Sequence, residues 1–201
     1  MGRVITITRQ FGSLGRLIGK EVAQQLGFEY YDRDIIEGAA EQLGKPVYEL
    51  SEYDGHTYTD YGRMGFPLGL GTKRKQRELF DIERELIEHY ARTQDCVIVG
   101  RGADCILTEA ESPSLYRVFI YAPYSDRLNF CLSQLGLTAE AAEVYMEKVD
   151  RAREAFYREF TSEEFSSMRY RDLLVNSAAM SLQQTAEVIC TGALNHFNKA
   201  Q

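Results

Sequence analysis

Val4-Ile5-Thr6-Ile7-Thr8, running into Arg9-Gln10-Phe11-Gly12-Ser13-Leu14-Gly15-Arg16, is the stretch that decides the fold. The first five residues are all β-branched and read as a buried strand. A helix opens at Leu17, with Ile18, Val22 and Leu26 on one face, and Gly27 stops it. A strand, a glycine-bearing turn and a helix start bring free amides and a positive dipole end together, which makes an anion site. The expected guest is a nucleotide phosphate. Gly12 and Gly15 let the backbone bend around it, Ser13 adds a hydroxyl donor, and Arg16 offers a bidentate fork. Taken alone, the same residues equally describe a plain strand-to-helix turn that uses glycine for geometry.

The alternation continues. Phe28–Tyr31 is a short strand, and Asp32 is placed to cap a second helix through about Leu43. Residues 44–72 hold Pro46, Pro67 and glycines including Gly62, Gly65, Gly69 and Gly71, the composition of an irregular, mobile insert. A long helix resumes near Lys73, with Leu79, Ile82, Leu86 and Tyr90 on one face. Cys96–Val99 is a continuous apolar strand ended by Gly100-Arg101-Gly102. Arg117–Tyr121 is another strand, and Pro123 opens the helix after it. Thr138 caps a helix running toward Phe156, and Asp172–Asn176 is a last strand. Ser181 and Gln184 form a capping box for the final helix. Strands alternating with helices, most of them apolar throughout, predict an α/β fold with parallel strands buried on both faces. Ligands of such sheets bind beyond the carboxyl ends of the strands, here loops 9–16, 31–34, 100–104 and 122–127.

Composition narrows the function. The 201 residues suit one domain with a mobile insert. A net charge of −7 argues against the basic surface of a nucleic-acid binder, while leaving room for a local arginine cluster. No apolar run reaches membrane-spanning length, and no basic leader with an apolar core precedes the first strand. Met1-Gly2-Arg3-Val4-Ile5-Thr6 fits a loose myristoylation pattern, but the start of the strand is the preferred reading. Cys96, Cys105, Cys131 and Cys190 are far apart and read as reduced thiols of a cytoplasmic protein. His56, His89 and His196 are scattered too, so no His/Cys metal cage is expected.

Other residues are candidates for chemistry. Asp32 either accepts hydrogen bonds from a base or ribose, or only caps a helix. Arg101, between two glycines at a strand end, is expected to project into the crevice and hold an anion. Asp104 reads as the cap of a short helix. Asp150–Arg158 carries Arg151, Arg153 and Arg158. Mixed charge usually marks a salt-bridged solvent face, but a lid bringing arginine onto a transferring phosphoryl group has the same composition.

In order along the chain, Ile5–Arg16, Tyr30–Ile36, Val97–Asp104, Asp150–Tyr157 and Asp172–Asn176 resemble the cytidylate kinase-like family, a branch of the nucleoside monophosphate kinases. The resemblance spans nearly the whole chain. It implies a P-loop kinase-like three-layer sandwich with a parallel five-stranded sheet. Residues 44–72 would close over a nucleoside monophosphate, and about 150–170 would be the lid over ATP. It also implies ATP and Mg²⁺ as cofactors and small nucleotides as partners. Arg101 falls where the family holds the acceptor phosphate, Asp32 on the acceptor side, and Arg153 on the lid arginine. Arg16 and Arg153 are then the catalytic cations. A gapless match puts Gly15 at the loop lysine, Arg16 and Leu17 at the next two positions, and so Leu17 in place of the metal-holding hydroxyl. Gly102 stands where an acidic residue helps to read cytosine. Two function classes follow: a kinase of a nucleoside monophosphate or similar small acceptor, and a nucleotide-binding regulatory or scaffold protein that has lost turnover.

Overall fold

In the computed structural model, the described residues are 2–32, 73–112, 114–161 and 163–199. Five strands form one parallel sheet: β1 (Val4–Arg9), β2 (Glu29–Asp32), β3 (Cys96–Val99), β4 (Leu115–Tyr121) and β5 (Leu173–Asn176), in the order β2-β3-β1-β4-β5. Among the described residues there are six helices: α1 (Gly15–Leu26), α2 (Lys73–Thr93), α3 (Ala103–Glu109), α4 (Tyr124–Leu135), α5 (Ala139–Phe160) and α6 (Leu182–Lys199).

The central strands β1, β3 and β4 are largely apolar because both faces are covered, while the edge strand β2 carries Glu29 and Asp32 at its ends. On one face, Ile5, Ile7, Val97, Val99, Val118 and Ile120 meet Ile18 and Val22 of α1 and Ile189 and Ala193 of α6. On the other, Cys96, Ile98 and Phe119 meet Phe80 and Ile87 of α2, Ile106 of α3, and Phe156 and Phe160 of α5. Adjacent residues of a strand serve opposite layers, so β-branched side chains suit every position.

Caps fall where the sequence signals them. Gly27 ends α1 in the left-handed conformation at φ 66°. Thr138 Oγ1 accepts the Ala141 amide at 3.3 Å. Ser181 and Gln184 exchange the two bonds of a capping box, at 3.2 and 3.0 Å. Two boundaries differ from expectation. Helix α1 starts at Gly15 rather than Leu17, because Leu14 takes a left-handed turn (φ 58°) that starts the helix early. Asp32 is the last residue of β2, paired with Val99. The helix expected after it and the insert expected at 44–72 lie outside the described residues.

Strand order is what creates a site. The chain leaves β1 toward β2 on one side, and after β3 it crosses β1 to β4 on the other. The carboxyl end of β1 is therefore the switch point where such sheets bind ligands. Loop 9–16 leaves from it.

Candidate functional site

The turn after β1 is held by side chains from behind. The Phe11 amide donates to Asp150 Oδ1 at 2.8 Å, and Arg127 Nε donates to the Phe11 carbonyl at 2.6 Å. Arg127 also pairs with Asp150. Arg153 Nη1 donates to the Arg9 carbonyl at 2.8 Å and to Asp150 at 3.3 Å. Helices α4 and α5 thus fix the entry to the loop. Gly12 sits at φ 77°, and a Cβ there would stand 3.1 Å from Arg127, so both conformation and space require glycine. Leu14 holds a positive φ that a bulky residue rarely takes, the kind of local strain found at binding turns.

Among the described residues, the amides of Gly12, Leu14 and Gly15 make no hydrogen bond, and they cluster at the start of α1. Ser13 is different. Its hydroxyl lies 2.9 Å from the Gln10 carbonyl and 3.2 Å from that of Ile120, and the side chain is buried. The expected hydroxyl donor to phosphate is instead a brace of the turn.

Positive charge collects here. Arg9, Arg16 and Arg153 all line a small cavity with Gly12, Leu14 and Gly15. Arg16 Nε is bonded to Asp32 Oδ2 at 2.7 Å, and Tyr30 Oη donates to the same oxygen at 3.1 Å. The two residues expected on the donor and acceptor sides are therefore tied to each other. Desolvation, then the nearby Arg9, bring the Arg153 guanidinium down to about 9, with Asp150 opposing and Arg127 adding to the fall. The Arg9 guanidinium is also lowered by desolvation. Four guanidinium groups, Arg9, Arg16, Arg127 and Arg153, stand with two carboxylates, Asp32 and Asp150. A cationic excess beside free amides at a helix start fits an anion.

The acceptor side differs from expectation. Arg101 does not project into open solvent. It pairs with the fully buried Glu83 of α2, and its guanidinium carbon lies 5.0 Å from the centre of the Phe156 ring. The reason is the turn itself: Gly100, Arg101 and Gly102 all have positive φ (87°, 59° and 67°), which brings Arg101 back into the layer between α2 and α5. Asp104 is more than a helix cap. Its carboxylate accepts the Tyr157 hydroxyl at 2.7 Å and pairs with Arg171. Arg171 Nη1 also donates to Thr8 Oγ1 at 3.2 Å, which in turn lies 3.1 Å from Tyr157 Oη. Burial, followed by the Asp104 charge, raises the Tyr157 phenol well above its ordinary value. Sequence reasoning missed Glu83, Tyr157 and Arg171. One signal was present: Tyr157 follows Arg153 by one helical turn and so shares its face.

Residues 150–161 and 163–171 are docked in this structure. Phe156, Tyr157, Phe160 and Phe165 are buried, and Arg171 fastens its far end to β1.

A profile of the cytidylate kinase-like family matches residues 4–179. The chain belongs to that family. No functionally curated protein matches it. Among solved structures, it is similar to an uncharacterized protein from Eubacterium ventriosum, at 18% identity and TM-score 0.72, covering 94% of this chain and 96% of that one. A gluconokinase from Sinorhizobium meliloti superimposes with TM-score 0.55 at 13% identity, covering 98% and 94% of the two chains. A shikimate kinase from Acinetobacter baumannii, in complex with shikimate, gives 0.52 at 14%, covering 97% and 94%. At these identities the likeness is one of fold: the architecture is that of P-loop kinases.

Within that architecture, the loop departs from the usual pattern of glycine, four residues, glycine and lysine. With Gly15 at the lysine position, Leu14 stands at the second glycine and Arg9 at the first. Leu14 there holds a left-handed conformation, which glycine adopts without steric cost.

Proposed function

We propose that the protein is an ATP- and Mg²⁺-dependent phosphotransferase whose acceptor is a nucleoside monophosphate or a similar small molecule. The observation that carries this reading is the convergence of free amides at Gly12, Leu14 and Gly15 with Arg9, Arg16 and Arg153 at the switch point of a kinase-type sheet. Family membership supports it. Phosphoryl transfer needs positioning and cations more than covalent chemistry, and this loop offers both.

Residues divide by role. The amides of the loop orient the donor phosphates. Arg153, in the proposed lid at about 150–170, meets charge that develops during transfer. Asp32, at the end of β2, lies on the acceptor side. Arg101 there acts mainly through its ion pair with Glu83, shaping the floor of the crevice. An ionised phosphate acceptor needs no general base. Mg²⁺ supplies charge neutralisation at the phosphates. Among the described residues no group of three His, Cys, Asp or Glu could hold it, and Leu17 is exposed where a hydroxyl ligand would be.

The exposed Leu17 favours a second reading, a nucleotide-binding regulatory protein without turnover. A coupled ADP-release assay separates the two. It would be run with ATP and Mg²⁺ over nucleoside monophosphates, gluconate and shikimate. Turnover with one acceptor supports the kinase. ATP binding with no turnover on any acceptor supports the regulatory reading. No member of the described chain is long and apolar enough to cross a membrane as a helix, and the four cysteines are buried, in keeping with a cytoplasmic site of action.

A further inference from the structure

We propose that Arg9 supplies the phosphate-binding charge that the loop lysine supplies in other P-loop enzymes, the cation and the glycine having exchanged places between positions 9 and 15. This rests on the reading that the loop takes the terminal phosphates of a nucleoside triphosphate.

Three observations carry it. The first is space. A Cβ placed on Gly15 would stand 2.7 Å from Arg9 Cβ and 2.8 Å from its Cγ. The volume in which a residue-15 side chain would begin is already filled by the Arg9 stem. Glycine at 15 is therefore the condition for arginine at 9. The second is reach. A Cβ on Gly100 would collide with Arg9 Nη1, so the side chain runs from the start of α1 across to the β3–α3 turn. Arg9 also lines the small cavity that Gly12, Leu14 and Gly15 line.

The third is charge. The residue is partly exposed, but its guanidinium is desolvated by surrounding protein. Every other arginine at the loop has a carboxylate: Arg16 has Asp32, while Arg127 and Arg153 share Asp150. Among the described residues the Arg9 side chain makes no hydrogen bond or ion pair. Its opposing influences, Tyr30, Tyr157 and Asp32, act only at a distance, and Arg16 repels it. A desolvated guanidinium without a contact anion is costly unless function supplies the anion. A guanidinium without a contact anion, on a residue that lines the same cavity as three free amides, supplies donors suited to a phosphate oxyanion.

The test is a reciprocal exchange. Arg9→Gly, Gly15→Lys and the double variant would be titrated calorimetrically with inorganic tripolyphosphate and, separately, with ATP, alongside melting curves. Arg9→Gly should weaken tripolyphosphate binding about 10- to 100-fold, the range for a charged hydrogen-bond donor. Gly15→Lys alone should also lose binding, because its stem meets Arg9. The double variant should regain at least about tenfold over Arg9→Gly, the non-additivity expected of contacting positions. A folded Arg9→Gly that binds like the unmodified protein overturns the proposal. If Arg9→Gly does not fold, Arg9→Gln decides in the same way. ATP binding that survives loss of Arg9 sinks the role of Arg9 and leaves the nucleotide reading standing. Binding of tripolyphosphate but not ATP, lost with Arg9, sinks the nucleotide reading and leaves Arg9 in place. Binding of neither probe by the unmodified protein overturns both.

Discussion

Asp104→Asn tests the buried network beneath the crevice. The substitution keeps size and an acceptor oxygen for the Tyr157 hydroxyl, and it removes one negative charge. The Arg171 side chain is only 3% exposed and that of Asp104 2%, so water cannot replace the lost partner. Arg171 would keep the Thr8 hydroxyl, the Phe165 carbonyl at 3.3 Å and the Phe119 ring at 5.5 Å, none of which carries a full charge. Its Nε is already without a partner. Breaking one side of a buried pair costs about 3–5 kcal/mol. For a chain of this length each kcal/mol lowers the melting temperature by about 2–4 °C, so a fall of roughly 6–20 °C is expected. Urea unfolding at neutral pH measures the loss directly. The control is Asp104→Leu with Arg171→Met, which removes both charges and should recover more than half of it. A single variant within about 1 kcal/mol of the unmodified protein would refute the reasoning. So would a double variant no better than the single one, because the loss would then not come from a stranded charge.

Three further outcomes are expected. Arg101→Ala should lower the melting temperature by at least about 6 °C, because it removes an ion-pair partner of the buried Glu83; an unchanged melting curve would return Arg101 to open contact with the acceptor. Arg153→Ala should lower kcat on the order of a hundredfold or more in the ADP-release assay, since a cation at the transferring group acts in the transition state, and full turnover would remove the lid assignment. Asp172→Asn should cost about 1–3 kcal/mol at neutral pH, because its carboxylate accepts three bonds from Arg117. Burial works to raise the Asp172 carboxyl, but the Arg117 bonds outweigh it and hold it below the ordinary value. Its contribution is therefore complete above about pH 4 and lost as pH falls below that, so the difference between variant and unmodified protein should close in acid.

Much of the architecture was legible from local pattern. Val4–Thr8 and Cys96–Val99 are strands because their residues suit positions covered on both faces, a preference visible within a few neighbours. Gly27, Thr138 and the Ser181–Gln184 box end or start helices through bonds that span three or four residues, so short sequence windows contain the whole interaction. The glycine-bearing turn at 12–15 belongs to the same class.

Tertiary structure decided the rest. That β1 lies at the centre of the sheet, and so carries the binding loop at its switch point, follows from pairing with β3 and β4, far away in sequence. Arg101 looked like a crevice arginine until Glu83, eighteen positions earlier, was brought against it. Asp104 looked like a cap until Arg171, sixty-seven positions later, arrived beside it. Arg9 drew no notice in the sequence, since nothing local shows that its side chain occupies the space above Gly15 while its neighbours take the carboxylates. Secondary structure depends on short-range sterics and hydrogen bonds that the sequence displays directly. Which charge meets which, and which is left for a ligand, depends on contacts made only when distant segments pack.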